Sequence, residues 1–271
     1  MILAFGPYVG SFEQEILTFR PYITWINKLL YPTKTYVNTH FNRAFLYEDM
    51  VKEDNELIPI YKHLSRDELG QKGYIHDLLS LKDYGGYIKE LKTFISDRED
   101  CSKKNIDVRN INYTKSIIQY PIYNKIFEGI NTKNLNTPDE LKNRNVFIPF
   151  GTDDMSDFYT YLKDKHDFIV VGDMTTSLTD ENKILKYIDY FENGWKYIIG
   201  AISYAKVVVC PISFWTAICN LQGVPVFSWG NNPGQYRKGG IYHFNNKKSM
   251  ILPDVDVKGF LDDFLNTVEG N

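Results

Sequence analysis

The sequence predicts an α/β protein built on parallel sheets and divided into two domains of similar size. Three observations carry this. Residues 194–230 (GWKYIIGAISYAKVVVCPISFWTAICNLQGVPVFSWG) read as helix, buried strand, sharp turn, helix and buried strand. The chain opens on an apolar run, residues 1–5, followed by Gly6-Pro7 and Gly10, which is the pattern of a first strand and its turn. A polar, asparagine-rich stretch, residues 129–145, interrupts the chain, and the strand-helix rhythm restarts beyond it. A chain of 271 residues suits two compact units. The expected domains are residues 1–140 and 141–271.

In the first half, Ser11 is placed to open a helix carrying Phe12, Ile16, Phe19 and Ile23, which Pro21 is expected to kink or stop. Residues 35–38 form the second strand. The polar segment 39–43 (THFNR) is the turn where it ends. Residues 57–61 are a third strand despite Pro59, a residue that central strands exclude. Tyr87, Leu91 and Ile95 at four-residue spacing make 82–97 a helix, while 101–116 are weakly patterned.

In the second half, residues 146–149 form a strand leading into Gly151, and residues 152–156 open a helix through Phe158 and Leu162. Residues 168–171 are a strand ending at Gly172-Asp173, and 184–191 an amphipathic helix. Residues 207–209 are a β-branched strand broken by Pro211. Ser213 is positioned to cap a helix over 214–221, Gly223 to end it, and 224–228 to form the next strand. Residues 239–244 give one more short strand. Residues 256–268 make a terminal helix with Phe260, Phe264 and Leu265 on one side. Two such halves around a polar linker predict two Rossmann-like domains facing a cleft, with a hinge at 129–145.

Composition narrows the function. The net charge of −3 comes from 31 basic and 34 acidic residues, and neither half is biased. Any nucleic-acid contact must then come from a local patch. The three cysteines, Cys101, Cys210 and Cys219, lack metal-ligand spacing. Their odd number and the lack of a signal-like segment fit a reducing, cytoplasmic setting. No apolar run reaches the roughly 20 residues that span a bilayer.

The segment 221–230 (LQGVPVFSWG), after a strand, turn and capping serine, resembles the second domain of GT-B glycosyltransferases, especially the heptosyltransferase-like group. Gly223, Pro225 and Val226 match its G-x-P-V pattern, whereas Cys210-Pro211-Ile212-Ser213 replaces its acidic-glycine turn. The N-terminus resembles the "GEFGxE" opening of some glycosyltransferase-like proteins through Gly10, Phe12 and Glu15, with Ser11 at its first acidic position. The resemblance implies a GT-B-like enzyme that needs no metal and no cofactor beyond a nucleotide-sugar co-substrate. It also implies that the terminal helix packs back across the domain boundary. The small size and AT-rich composition further suggest a bacteriophage enzyme. By analogy, its acceptor would be a hydroxymethylated pyrimidine in phage DNA. A bacterial surface glycan is the alternative acceptor, and a non-catalytic nucleotide- or sugar-binding module is the alternative class.

Glycosyl transfer needs a base for the acceptor proton and cations or N–H dipoles for the leaving diphosphate. Glu15 and Glu13 follow the first strand and are the candidate bases, with His40 as a third; all three also suit a solvated turn. Burial of either glutamate among aromatic side chains would raise its pKa. Donor-side candidates sit after strands of the second half: Gly151, Thr152, Gly172, Asp173, Ser213, Phe214 and Arg237, the last as the diphosphate cation. On the acceptor or phosphate side are Gly10, Ser11, Arg20, Asn42 and Arg43. Trp215 and Trp229 read as core.

Overall fold

The computed structural model describes residues 1–6, 15–39, 41–47, 56–61, 81–109, 130, 135, 137, 139–149, 156–171, 194–230, 248–252 and 256–269. It comprises two compact units, Met1–Asn131 and Thr132–Asn271.

Unit 1 holds β1 (Ile2–Phe5), α1 (Arg20–Leu30), β2 (Lys34–Thr39), β3 (Glu56–Tyr61), α2 (Leu81–Glu99) and β4 (Ile106–Arg109). All neighbouring strands are parallel, in the order β3-β2-β1-β4. β1 is central and flanked on both sides, so Leu3, Ala4 and Phe5 are fully buried and the strand reads as a continuous apolar run. Pro59 is tolerated because β3 is the edge of the described sheet, where a missing N–H breaks no ladder bond on the open side. Ala4, Tyr36 and Ile106 pack against Leu91 and Ile95 of α2. Strand β4 falls inside the weakly patterned segment. Only Ile106 and Val108, facing α2, signal it.

Pro21 does not stop the first helix. A π-helical turn, Glu15–Phe19, runs directly into α1, and Pro21 sits in its first turn, where a missing N–H costs nothing. Tyr31 closes the helix in the left-handed region, at φ 45°, its N–H donating to the Asn27 carbonyl at 3.1 Å.

Unit 2 holds β5 (Asn145–Phe147), α3 (Ser156–His166), β6 (Phe168–Val170), α4 (Gly194–Ser203), β7 (Val207–Pro211), α5 (Phe214–Gln222), β8 (Val226–Trp229), β9 (Ser249–Leu252) and α6 (Val257–Glu269). Its sheet is parallel throughout, in the order β6-β5-β7-β8-β9. Relative to chain order this is 2-1-3-4-5, a doubly wound arrangement. The strand period of two sends Phe147, Val207, Val209, Phe227 and Trp229 to one face, against Leu162 of α3 and Leu261, Phe264 and Leu265 of α6. Cys210 and Ser228 point to the opposite face and meet Thr216 of α5. Gln222 of α5 is tied to Ser203 of α4 at 2.7 Å.

Several expectations are corrected here. Phe260 lies 43% exposed; the buried stripe of α6 is Leu261, Phe264 and Leu265, and it joins the core of unit 2 itself. Within the expected linker Leu135, Thr137 and Leu141 are buried, and Asn145 begins β5. β9 was not anticipated. The helix expected at 184–191 and the strand at 239–244 lie outside the described residues.

Candidate functional site

In unit 2, β7 ends at Pro211, and the chain turns through Ile212 and Ser213 into α5. The Ile212 N–H donates to the Trp229 carbonyl at 2.7 Å, holding the ends of β7 and β8 together. Ser213 is extended (φ −157°) and occupies the N-cap position. Its N–H donates to Thr216 Oγ1 at 3.3 Å, one arm of a capping box. The Ser213 hydroxyl lies toward the Thr216 N–H without hydrogen-bond geometry and has no partner among the described residues, although the residue is only 5% exposed.

That geometry has a chemical consequence. A buried hydroxyl left without a partner costs about 1–3 kcal/mol. Beside it is the N-terminus of α5, the positive end of the helix dipole. An anionic oxygen suits both. Below the turn, Thr216 Oγ1 and Ser228 Oγ lie 3.0 Å apart and Cys210 Sγ is 3.4 Å from Ser228 Oγ, a buried polar triad that ties α5 to β7 and β8. Burial pushes the Cys210 thiol up and the Cys219 thiol well up, so neither is a reactive thiolate. Trp215 and Trp229 are both buried.

In unit 1 the segments after β1 and β2 meet. Glu15 is fully buried and receives three donors. Arg43 Nη1 donates to Oε2 at 2.9 Å and the Tyr47 hydroxyl to Oε1 at 2.7 Å, with the Thr39 hydroxyl also donating to Oε1. Arg20 is buried too, its Nε donating to the Leu46 carbonyl at 2.7 Å. The 3₁₀ turn Phe41–Leu46 is thereby pinned to the start of α1 by two arginines. Such a carboxylate is positioned by its donors rather than open to an incoming hydroxyl.

The structure thus brings together Glu15, Arg20 and Arg43 in unit 1, and Ser213 and Phe214 in unit 2. Thr39 and Tyr47 were not anticipated; Tyr47, four residues after Arg43, was the available signal. Asn42 belongs to the 3₁₀ turn, but its side chain is not described. Gly10, Ser11, Glu13, His40, Gly151, Thr152, Gly172, Asp173 and Arg237 lie outside the described residues. The strands preceding the second-half candidates are parallel neighbours or flank them in one sheet, so the chain leaves β5, β6, β7 and β8 at a common edge.

Solved structures align with nearly the whole chain. The E. coli heptosyltransferase WaaC with ADP matches with a TM-score of 0.50 and 9% identity, over 98% of this chain and 99% of that one. A family 9 glycosyl transferase from Veillonella parvula DSM 2008 matches with a TM-score of 0.50 and 11% identity, over 97% of this chain and 88% of that one. The fold is that of an α/β glycosyltransferase. No family model matches the sequence, and no curated protein matches it. Among the described residues of this fold, no group of three His, Cys, Asp or Glu side chains is arranged to hold a metal ion. No described helix is long and apolar enough to cross a membrane.

Proposed function

We propose that the protein is a glycosyltransferase that moves a sugar from a nucleotide-sugar donor to a hydroxyl of a bacterial surface glycan, without a metal. The observation that carries this reading is the buried Ser213 hydroxyl, which has no partner of hydrogen-bond geometry among the described residues, beside the N-terminus of α5 at the carboxyl end of a central strand. Ligands of doubly wound sheets bind at that edge. The E. coli heptosyltransferase of the same fold was solved with ADP.

In the reaction the acceptor oxygen forms a bond to the anomeric carbon as its proton leaves. The bond from that carbon to the phosphate oxygen breaks, and the diphosphate takes the electron pair. Ser213 and the N–H groups of Phe214 and Trp215 hold the diphosphate, with Arg237 as its cation. Gly151 and Thr152 after β5, and Gly172 and Asp173 after β6, complete the donor site around the nucleotide. Unit 1 takes the acceptor with Gly10, Ser11 and Asn42. Arg20 and Arg43 shape this side of the site. The proton passes to Glu13 or His40, and Glu15 orders the Phe41–Leu46 turn. For Glu15 itself to act as base, an acceptor would have to displace the Tyr47 or Thr39 hydroxyl.

The test is a thermal-shift screen of nucleotide sugars on the wild type and on Ser213→Ala. One nucleotide sugar should stabilise the wild type by roughly 2.7 kcal/mol at a hundredfold excess over its dissociation constant. Ser213→Ala should weaken its binding about fivefold, the value of one neutral hydrogen bond, with little change in melting without ligand. A variant that melts several degrees lower but binds normally makes Ser213 an ordinary cap. Acceptors are then screened as surface oligosaccharides against hydroxymethylated DNA. A donor that binds and is consumed with neither identifies a binding module.

A further inference from the structure

The sheet of unit 1 reverses its direction of winding between β1 and β4, since its order in the chain is 3-2-1-4. Ligands of such sheets settle outside the strand ends at that reversal. There Gly6 adopts φ 113°, open only to glycine in practice, and its N–H donates to the Arg109 carbonyl at 3.1 Å. Arg109 is the last residue of β4, directly across the ladder from Phe5. Ile106 and Val108 face the α2 core, so Asp107 and Arg109 project from the opposite face. On that face Tyr22 of α1 meets the Phe5 ring edge-on at 5.9 Å.

The Arg109 guanidinium is oriented by its ion pair: Nε donates to Asp107 Oδ2 at 2.9 Å. Its side chain nevertheless stays 33% exposed. An ion pair of this exposure adds little to folding; what it does is fix a planar fork at the strand end. On the same edge Arg20 is buried and the Arg43 side chain is only 12% exposed, both held in internal bonds. Among the described residues of this edge, Arg109 is the most exposed arginine.

We infer that Arg109 binds an oxyanion, phosphate or carboxylate, borne by the acceptor. This rests on unit 1 being the acceptor side, and it narrows the acceptor to an anionic sugar. An oriented guanidinium takes such a group through two parallel N–H bonds. Asp107 neutralises part of its charge, so the anion must fit the fork rather than merely be negative.

The experiment titrates inorganic phosphate into the ¹⁵N-arginine-labelled full chain and follows the arginine Nε–H signals. One signal should shift and saturate in the wild type and in Lys104→Gln, an exposed lysine before β4. Arg109→Gln should lose that signal and the saturable response. Glucose 6-phosphate should bind at least about tenfold more weakly to Arg109→Gln than to the wild type, with glucose unaffected. A saturable response that survives Arg109→Gln overturns the inference, as does a wild type that responds without saturation. Nucleotide-sugar stabilisation should be equal in both proteins. A wild type that binds phosphate through Arg109 but no nucleotide sugar refutes the donor reading alone; the reverse refutes this subsite alone.

Discussion

Glu15 lies fully buried between two segments that are distant in sequence, and its bonds to Thr39, Arg43 and Tyr47 hold them together. Replacing the carboxylate by an amide leaves the Arg43 guanidinium, whose side chain is 12% exposed, facing a neutral group. Breaking a buried pair from one side costs about 3–5 kcal/mol. Glu15→Gln is therefore expected to lower unfolding free energy by about 3 kcal/mol, measured by urea denaturation followed by tryptophan fluorescence. A midpoint equal to the wild type would mean that the cluster does not hold the turn. The same change reads poorly as a test of catalysis, because lost activity would follow from a displaced turn; Glu13→Gln and His40→Gln test the base directly. The sequence singled out Glu15, Arg20 and Arg43, because charged residues flanking strand ends in a parallel sheet invite that reading. It could not pair them. The partners are separated by 24 to 32 residues and meet only once β1 and β2 are side by side.

At the scale of elements, α6 is locked to α3 by a polar cluster on the side of Asp262. Lys165 and the Tyr161 hydroxyl both donate to the Asp262 carboxylate, and His166 Nε2 lies 3.0 Å from it. These bonds, Lys165 foremost, hold the Asp262 carboxyl at about 2, below its ordinary 3.8. A folded-state value lower than the unfolded one means stability that is present above pH 4 and disappears as pH falls through 2. Asp262→Asn should therefore be less stable than the wild type at pH 5–6, and the gap should close between about pH 4 and pH 2. A gap that stays constant over that range would show that the carboxylate charge contributes nothing to the clamp. Element by element, the long or fully buried segments were legible: β1, β2, α2 and the run from α4 to β8. The failures were short and peripheral. β4 and β9 are four-residue edge strands, with too few apolar positions for a period to emerge. The exposed face of α6 was misjudged because Phe260 and Phe264 share helical spacing, and only packing decides that Leu261 rather than Phe260 turns inward.

The whole molecule is two parallel-sheet units with separate cores, and their strand orders, 3-2-1-4 and 2-1-3-4-5 in chain order, were not readable from sequence. Periodicity marks where strands are, not which neighbour each one takes. The polar composition of 129–145 pointed to a boundary there. The units divide between Asn131 and Thr132, because the stretch hides Leu135, Thr137 and Leu141 that pack inward. The division makes the donor assignment testable across the full chain by hydrogen exchange. A ligand at a hundredfold excess over its dissociation constant adds about 2.7 kcal/mol to the unit that binds it, which slows exchange through unfolding of that unit about a hundredfold. With a nucleotide sugar bound to the turn at Ser213, amides of β5, β7, β8 and α5 should slow by about that factor. Those of β1, β2 and β4 should change far less, because they belong to another core and touch no donor group in this reading. Slowing confined to unit 1 would move the donor site to the carboxyl edge of β1 and overturn the assignment of Ser213. Equal slowing in both units would mean that they unfold as one, and Ser213→Ala would then have to reduce the protection in both about fivefold at the same ligand concentration for the donor site to stay at the α5 N-terminus.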